Sequence, residues 1–219
     1  MSELLLSNEG DERVFLLDGE ELVGAKQNRI LNTSLLVERR TRLAVPVSCV
    51  ERGRWEFRAG RSMRPGSVSH PALRGEKAVQ IHESLRARGS YCSDQTEVWR
   101  HVDRKLRSLG ADSESSALEA GFELHRSSLD RYAARLPCPE GAVGVAAAIA
   151  GRVACADLFA TPALLARMLA LHDDALLEAF VAPGLGASVR VQASRASGSA
   201  LVVDGTIVHA ELFAAAAIE

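Results

Sequence analysis

The sequence predicts an α+β fold, with β-strands at both ends of the 219-residue chain and helices between them. Short apolar runs separated by turn residues fill about the first fifty residues, which is typical of strands. Apolar residues at helical spacing follow, and further pairs of apolar runs close the chain. Because strands and helices are segregated, we expect a single α+β domain over residues 1–219. Its predicted regions are an N-terminal antiparallel β-meander (1–57), central helices (71–136) and C-terminal β-hairpins flanking a helix (141–219), the hairpins joining a mixed or antiparallel sheet.

Composition and charge are those of an ordinary globular protein. Apolar residues make up 47% and charged residues 25%, and the net charge of −2 provides no basic field for tight nucleic-acid binding. No apolar run approaches the roughly 20 residues of a membrane-spanning helix, and the first residues lack the features of a secretory signal. The four cysteines form no Cys-x-x-Cys pair, so we expect reduced thiols, a cytoplasmic location and no zinc site.

The N-terminal strands are predicted from apolar runs that lie between polar turns. These runs are residues 4–6, 14–17, 30–37 and 43–50. Asp18-Gly19 is a hairpin signal, because glycine accepts a positive φ. Pro46 indicates an edge strand or a bulge, since proline has no N–H for a ladder bond. Glycine, serine and arginine dominate after Trp55, which predicts a loop over residues 59–69.

The centre and the end of the chain combine helical patterns with two hairpins. Helices are predicted over residues 73–87, 93–109 and 116–136, and strands over residues 143–149, 153–159, 199–203 and 206–213. Ser93 is expected to cap the second helix and Gly110 to end it. Thr161-Pro162 predicts the start of a fourth helix, which the glycines near residue 185 would end. Asp204-Gly205 predicts the turn of the last hairpin.

Three carboxylates follow the second predicted strand, at Asp18, Glu20 and Glu21. Carboxylate oxygens are the ligands that hard cations such as Mg²⁺ prefer, so one or two of them are candidates for a divalent metal. A solvated turn is an equally good explanation for Asp18 and Glu20. Glu21 precedes the apolar pair Leu22-Val23, and a carboxylate in that position needs a partner or a chemical role.

A basic and amide-rich segment comes next and is a candidate anion site. It consists of Lys26, Gln27, Asn28 and Arg29, followed by Asn32 and Thr33. The guanidinium of arginine pairs with phosphate oxygens, and amides orient neutral polar groups. A polar loop whose amides bond its own backbone would show the same composition. The glycine spacing of a Walker loop is absent.

Further candidates lie at the end of the strand over residues 43–50 and before the second helix. Ser48 and Cys49 end that strand, and Cys49 is either a nucleophile or a small core residue. Glu51 is a candidate acid–base group, and Trp55 either stacks on a ligand base or covers the core. Gln95 is a further ligand candidate, whereas helix capping accounts for Ser93.

Two other chemistries receive weaker support from the sequence. The six histidines show no metal-ligand spacing, so no metal site is predicted from them. The arginines around residues 52–64 are a candidate RNA contact, but few aromatic residues are interleaved with them, and a solvated loop is the better explanation.

These same residues resemble the signature of a known bacterial family. Residues 16–29 and 31–33 are similar to the most specific block of the ARG-and-rhodanese-phosphatase-superfamily-associated protein domain family. Further similar segments are residues 46–51, 53–55, 93–95, 98–99, 144–159 and 201–213. The family pattern also carries several dozen residues ahead of the position of Leu4. Either those strands are dispensable, or the sheet edge that they cover pairs with another subunit.

The family name implies an association with ADP-ribosylglycohydrolases and rhodanese-fold phosphatases, and it brings no activity of its own. We therefore expect a phosphate-bearing, nucleotide-like ligand: ADP-ribose, a nucleotide or an RNA end. An enzyme would be a hydrolase or transferase acting on such a linkage. The alternative is a non-catalytic interaction or oligomerisation domain. In the ligand hypothesis the phosphates are held by Lys26 and Arg29, polar groups are contacted by Gln27, Asn28, Asn32, Thr33, Ser48, Trp55 and Gln95, and the candidate catalytic groups are Glu21, Glu51 and Cys49.

Overall fold

A computed structural model describes residues 2–57, 63–135, 138–149, 152–171 and 196–214. These residues form two compact units. The first unit contains residues 1–69 and 76–126, and the second contains residues 70–75 and 127–219. The prediction of a single domain stays a prediction.

The first unit contains a five-stranded antiparallel sheet and a separate two-stranded ribbon. Its strands are β1 (Glu3–Asn8), β2 (Val14–Leu16), β3 (Glu20–Gly24), β4 (Arg29–Leu31), β5 (Leu35–Val37), β6 (Thr41–Cys49) and β7 (Met63–Val68). The large sheet has the order β1-β6-β4-β3-β7, and β2 pairs with β5. The predicted strand over residues 30–37 is thus divided between two sheets. The order also departs from that of a sequential meander, because β3 and β4 are the only chain neighbours that pair within the large sheet of the described residues.

Strand β6 provides much of the core of this unit. Alternate residues of the strand are buried as predicted, and Val45 and Val47 pack with Leu31. The edge position predicted from Pro46 is wrong, because β6 lies between β1 and β4. Proline is tolerated there because β4 ends at Leu31: the residue that follows, Asn32, donates its N–H to the Pro46 carbonyl at 3.0 Å, so no ladder bond needs a proline N–H.

The loop predicted over residues 59–69 is wrong in part, because residues 63–68 form edge strand β7. Proline and glycine are tolerated in an edge strand. Gly66 also allows β7 to approach β3 closely, since a Cβ atom at that position would lie 2.7 Å from a methyl group of Val23. The strand therefore forms although its own sequence resembles a loop.

Helices α1 (Pro71–Arg88), α2 (Gln95–Leu109) and α3 (Glu119–Ala133) confirm the central helical region. The N-cap of α2 is Asp94, and the prediction of Ser93 is wrong by one residue. The Asp94 carboxylate accepts the N–H groups of Thr96 and Glu97, which satisfies two donors of the first turn. Gly110 ends α2 in the left-handed conformation, as predicted.

The second unit contains a four-stranded antiparallel sheet and one described helix. The sheet consists of β8 (Gly144–Ile149), β9 (Arg152–Phe159), β10 (Ala196–Val203) and β11 (Thr206–Ala214) in the order β10-β11-β9-β8. Asp204 and Gly205 both have positive φ, which confirms the predicted turn. Helix α4 (Pro162–Leu171) starts at the predicted proline, with the Thr161 hydroxyl accepting the Leu164 N–H. Its predicted end near residue 185 lies outside the described residues.

Together these elements confirm the α+β class, with an N-terminal strand region, central helices and C-terminal hairpins. Within the described residues, no helix is both long enough and apolar enough to cross a membrane.

Candidate functional site

The predicted acidic and basic segment forms the hairpin of β3 and β4. These strands pair antiparallel through Glu21 and Leu22 on one side and Ile30 and Arg29 on the other. Gly24 and Ala25 both have positive φ at the turn. The side chain of Asn28 closes the turn by accepting the Gly24 N–H at 3.1 Å. The Asn28 side chain therefore satisfies a backbone N–H of the turn in place of a backbone carbonyl.

Asn28 is also the centre of a buried group of carboxylates, which we call the Asn28 cluster: Glu21, Asn28, Glu51, Arg54 and Glu119. Asn28 is fully buried, and its amide group donates to Glu21 at 3.1 Å and to Glu119 at 3.4 Å. Its backbone N–H donates to Glu51 at 2.9 Å. One asparagine thus connects three acidic side chains from distant parts of the chain, two through its side-chain amide and one through its backbone N–H.

Glu51 is fully buried, and its carboxylate accepts hydrogen bonds from Arg54, Asn28 and Ser115. The guanidinium donates to the two carboxylate oxygens of Glu51 at 2.8 and 2.6 Å, and the Ser115 hydroxyl adds a bond of 2.8 Å. Burial raises the pKa of Glu51, but the hydrogen bonds from Arg54, Asn28 and Ser115 outweigh it and leave the pKa below its ordinary value. Glu51 is therefore a permanent anion with an internal counter-ion.

The pKa of Glu21, the other fully buried acid of the Asn28 cluster, is raised rather than lowered. Burial, followed by the nearby negative charge of Glu119, raises the pKa of Glu21 to about 8. Its Oε2 atom has no hydrogen-bond partner among the described residues. Glu119 itself pairs with Arg64 at 2.5 Å. Glu21 is thus a neutral carboxylic acid at pH 7.

The first two carboxylates of the segment also bond within the first unit. Asp18 forms a buried ion pair with Lys77, whose ammonium group also donates to the Leu31 carbonyl at 2.8 Å. Glu20 accepts the Leu17 N–H at 3.2 Å, and burial raises the pKa of Glu20 while this bond lowers it. These contacts connect the turn at Gly19 to helix α1.

A cleft of about 250 Å³ opens beside this hairpin. Seven residues predicted from the sequence line it: Gln27, Arg29, Asn32, Ser48, Cys49, Trp55 and Gln95. The other lining residues are Ser2, Val47, Cys92, Ser93 and Trp99. The sequence did not single out Cys92 or Trp99, although both flank the predicted ligand residue Gln95. The sequence predicts helix capping for Ser93. Because Asp94 is the N-cap instead, the Ser93 side chain is available to line the cleft.

The polar side chains of the cleft hold one another in fixed positions. The Ser48 hydroxyl donates to Asn32 at 2.6 Å and lies 2.5 Å from the Ser93 hydroxyl. Gln95 bonds both backbone groups of Cys49, accepting the N–H at 2.8 Å and donating to the carbonyl at 2.7 Å. Gln27 donates to the Glu51 carbonyl at 3.0 Å, which connects the cleft to the Asn28 cluster. The cleft is therefore preorganised rather than a gap between mobile side chains.

Arg29, Trp55 and Trp99 are the charged and aromatic residues that line the cleft. Arg29 is the one charged residue among the described residues that line the cleft. It is partly buried, and its guanidinium donates to the neutral Gln27 carbonyl oxygen at 3.1 Å. Trp55 is 66% exposed, so its indole ring is accessible to a ligand. The ring N–H of Trp99 is buried without a hydrogen-bond partner among the described residues.

The remaining five predicted site residues lie away from the cleft. Glu21, Asn28 and Glu51 belong to the buried Asn28 cluster. The ammonium group of Lys26 lies 5.2 Å from the centre of the Phe57 ring, and the Thr33 hydroxyl donates to the Ser34 carbonyl at 3.4 Å. Of the three candidate catalytic residues, Cys49 alone lines the cleft, where its thiol donates to the Glu51 carbonyl at 3.2 Å.

Three of the arginines considered for RNA binding belong to the described residues, and each lies beside a carboxylate. Arg54 pairs with Glu51 and Arg64 with Glu119. Arg52 lies 3.4 Å from Asp103. An RNA backbone would therefore compete with existing partners at each of these positions.

The second unit contains a buried charge cluster that sequence analysis missed. Asp157 on β9 lies directly opposite Glu211 on β11, and His209 lies two residues before Glu211. These three side chains are buried, and their ligand atoms lie within 4.8 Å of one another, a spacing compatible with a metal ion. The guanidinium of Arg74 lies between the two carboxylates, 2.6 Å from Asp157 and 2.8 Å from Glu211. A guanidinium cation thus already pairs with both carboxylates of this set, which does not favour a metal ion there.

Arg74, Asp157, His209 and Glu211, which we call the Arg74 cluster, shift pKa values both within the cluster and beside it. Burial raises the pKa of Asp157, but Arg74 and His209 outweigh it and hold the pKa well below its ordinary value. Burial and the Asp157 charge raise the pKa of the Cys155 thiol to about 11, so this cysteine is an unreactive core residue. The signal in the sequence was the pair of polar residues at His209 and Glu211, two apart on one face of an otherwise apolar strand.

The fold and the cleft define an antiparallel α+β protein with a preorganised, polar cleft that carries a single arginine. The chain belongs to the family described as the ARG and Rhodanese-Phosphatase-superfamily-associated Protein domain, whose model matches residues 1–181. This confirms the resemblance found in the sequence. By its description, the family consists of proteins associated with the ARG and rhodanese-phosphatase superfamilies. No curated protein and no solved structure matched the chain.

Proposed function

We propose that the cleft binds a phosphate-bearing, nucleotide-like ligand, with Arg29 at the phosphate and Trp55 stacked on the base. The observation that carries this proposal is that, among the described residues that line the cleft, Arg29 is the one that carries a charge, and it lines the cleft together with the exposed indole of Trp55. Arginine pairs bidentately with phosphate oxygens, and a flat aromatic ring stacks on a base of any sequence.

Charge supports an anion rather than a cation as the ligand. The other lining residues are neutral, so Arg29 gives the described wall of the cleft a charge of +1. Hydroxyl and amide groups of Ser48, Asn32 and Gln95 line the same cleft and bond chiefly to one another or to backbone groups. Their positions are therefore set before a ligand arrives, which reduces the entropy cost of binding.

Size limits what the cleft encloses. Pockets that enclose a whole drug-sized ligand have volumes of roughly 300–1,000 Å³. The cleft, at about 250 Å³, is slightly smaller than this range. It therefore encloses one part of a nucleotide, such as a phosphate with its sugar, while the base lies outside on Trp55. This fits ADP-ribose, a mononucleotide or the end of an RNA strand.

Binding is favoured over catalysis by the positions of the candidate catalytic groups. Glu21 and Glu51 lie in the buried Asn28 cluster, and their bonds to Asn28 and Arg54 serve the hairpin turn. If the protein acts as a hydrolase or transferase on a nucleotide or ADP-ribose linkage, Cys49 is the group placed to attack, and Mg²⁺ bound by the phosphates is the cofactor to test. The free thiols among the described residues fit a cytoplasmic location.

A thermal-shift titration tests the proposal. ADP-ribose, AMP, NAD and inorganic phosphate are added to the full chain with and without Mg²⁺. A ligand at 100 times its Kd stabilises the folded state by about 2.7 kcal/mol, which raises Tm by roughly 5–10 °C in a chain of this size. We expect such a shift with at least one of these ligands, and a much smaller shift for Arg29→Ala and for Trp55→Ala.

Arg39→Ala is the matched control, because Arg39 is an exposed arginine of the same unit outside the cleft. It is expected to retain the full shift. A shift that survives in Arg29→Ala, or that Arg39→Ala reduces equally, contradicts the placement of the ligand.

One observation favours a second candidate function, a homo-oligomer through a sheet edge. Strand β1 is an edge strand of the five-stranded sheet, and its Leu5 side chain is 76% exposed. Edge strands with exposed apolar residues pair readily with another chain. Sedimentation velocity compares the native protein with Leu5→Lys: a dimer that dissociates in the variant supports this function, and a native monomer at 100 μM rules it out.

A further inference from the structure

A second concavity, which we call the groove, also has Trp55 among its lining residues. Its volume is about 780 Å³, and it is lined by two segments of the first unit, residues 53–57 and 113–115. Trp55 lines both the groove and the cleft, whereas the other lining residues of the groove are absent from the cleft. The groove is therefore a distinct surface with its own chemistry.

Fixed backbone contacts build the floor of the groove. The Gly53 N–H donates to the Ser115 carbonyl at 2.8 Å, and a Cβ atom at Gly53 would lie 2.8 Å from the Ser115 Cα. Only glycine allows this approach of the two segments. The Ser115 hydroxyl and Arg54 then converge on the buried Glu51 carboxylate. The two walls are thus held at a set separation by buried groups.

The described residues that line the groove present two exposed carboxylates and one arginine. Arg54 lines it, but the guanidinium of Arg54 is already neutralised by Glu51 and donates further to the carbonyls of Ala25 and Glu56. Glu56 and Glu114 are exposed, and neither forms an ion pair with another described residue. The groove therefore presents two solvated carboxylates and no uncompensated cation within its described lining.

Two exposed aromatic rings lie beside these carboxylates. Trp55 is 66% exposed and Phe57 is 49% exposed. Aromatic faces attract ammonium and guanidinium groups, most strongly in tryptophan. Phe57 already attracts such a group from the same chain, because the Lys26 ammonium lies 5.2 Å from its ring centre. Aromatic faces next to carboxylates are a binding surface for a cation.

We propose that the groove docks a lysine- or arginine-bearing segment of a partner protein. Its cationic side chain stacks on Trp55 and pairs with Glu56 and Glu114. A volume of about 780 Å³ exceeds the space that one side chain fills, so the occupant is a short extended segment rather than a single amine. Lys26 competes with the partner for the aromatic surface, since its ammonium lies over Phe57.

Fluorescence anisotropy with a fluorescein-labelled tetra-arginine peptide tests this proposal on the full chain. We expect saturable binding to the native protein and none of a labelled tetra-glutamate peptide. Glu56→Gln combined with Glu114→Gln should weaken binding about five- to twentyfold, since an exposed ion pair contributes up to roughly fivefold in affinity. Trp55→Ala should weaken it roughly two- to fivefold, the usual size of an exposed cation–π contact.

Two further variants exclude simpler explanations. Glu12→Gln combined with Glu83→Gln removes the same net charge from exposed positions outside the groove and should leave the affinity unchanged. Lys26→Met should tighten binding by removing a positive charge that lies beside the groove and repels the peptide. The proposal is overturned if the peptide does not bind, if the control pair weakens binding as much as the groove pair, or if Lys26→Met weakens it.

Discussion

The neutral carboxylic acid at Glu21 leads to a specific prediction about stability and pH. The unfolded chain ionises this group near its ordinary pKa of 4.5, whereas the folded protein keeps it protonated up to a pKa of about 8. The folded state is therefore favoured by this group fully below pH 4.5, and the contribution is lost as the pH rises to 8. Each pKa unit corresponds to about 1.4 kcal/mol, so the loss is roughly 3 kcal/mol at pH 7 and approaches 5 kcal/mol above pH 8.

The substitution Glu21→Gln isolates this effect. Glutamine has nearly the shape of the protonated acid, and its carbonyl oxygen can accept the same bond from Asn28 that Glu21 accepts at 3.1 Å. We expect the stabilities of the variant and the native protein to differ by no more than about 1 kcal/mol at pH 5. The variant should be several kcal/mol more stable at pH 8. In the native protein, ionisation of Glu21 then stabilises the unfolded chain, whereas glutamine does not ionise.

Urea denaturation at pH 5, 6, 7 and 8 measures these free energies of unfolding, and Glu123→Gln, an exposed glutamate on α3, is the control that should follow the native protein. Other perturbed groups do not imitate the effect. Asp157 and Glu51 have lowered pKa values, so their contributions are present throughout this range and are lost only at more acidic pH. Glu20 contributes a smaller slope of the same sign in both proteins. Parallel pH profiles for the native protein and Glu21→Gln would refute the assignment of a neutral acid.

Three other substitutions test the remaining contacts. Arg74→Met should destabilise the protein by about 3–5 kcal/mol at pH 7, because it leaves Asp157 and Glu211 buried opposite each other without that cation. The cost should shrink at acidic pH as the carboxylates protonate. Urea denaturation at pH 7 and pH 4 measures both values. Gly66→Ala should lower Tm, since the new methyl group would lie 2.7 Å from Val23; an unchanged Tm in calorimetry would show that β7 does not approach β3 this closely. Asp94→Ala should cost about 1 kcal/mol by removing the N-cap of α2, and an unchanged free energy of unfolding in urea denaturation would contradict the assignment of the cap.

Elements with local signals were predicted well from the sequence. The alternation in β6, the glycine that ends α2 and the Asp204-Gly205 turn depend on residues adjacent in the chain, and each was located correctly. Strand β7 was missed because its sequence resembles a loop, and its pairing comes from β3, which lies about forty residues earlier. Local propensity decides weakly where tertiary pairing is available.

The candidate site was predicted in part for the same reason. The sequence located the polar residues around the β3–β4 hairpin, because so many hydrogen-bonding side chains are unusual between two apolar strands. It did not show how they divide between a cleft and a buried cluster. That division depends on Arg54, Ser115 and Glu119, whose meeting with the hairpin is a property of the folded chain.

The arrangement around Arg74 has a consequence for any attempt to express the second unit from its C-terminal part. The opposed acids on β9 and β11 are balanced by a guanidinium encoded more than eighty residues upstream, in the short stretch 70–75. A fragment beginning at residue 127 would contain the strands of the four-stranded sheet. It would lack Arg74, whose guanidinium pairs with the two buried acids. Such a truncation should accumulate as an acid-dependent, partly folded species, and restoring the upstream hexapeptide in trans would be the direct remedy.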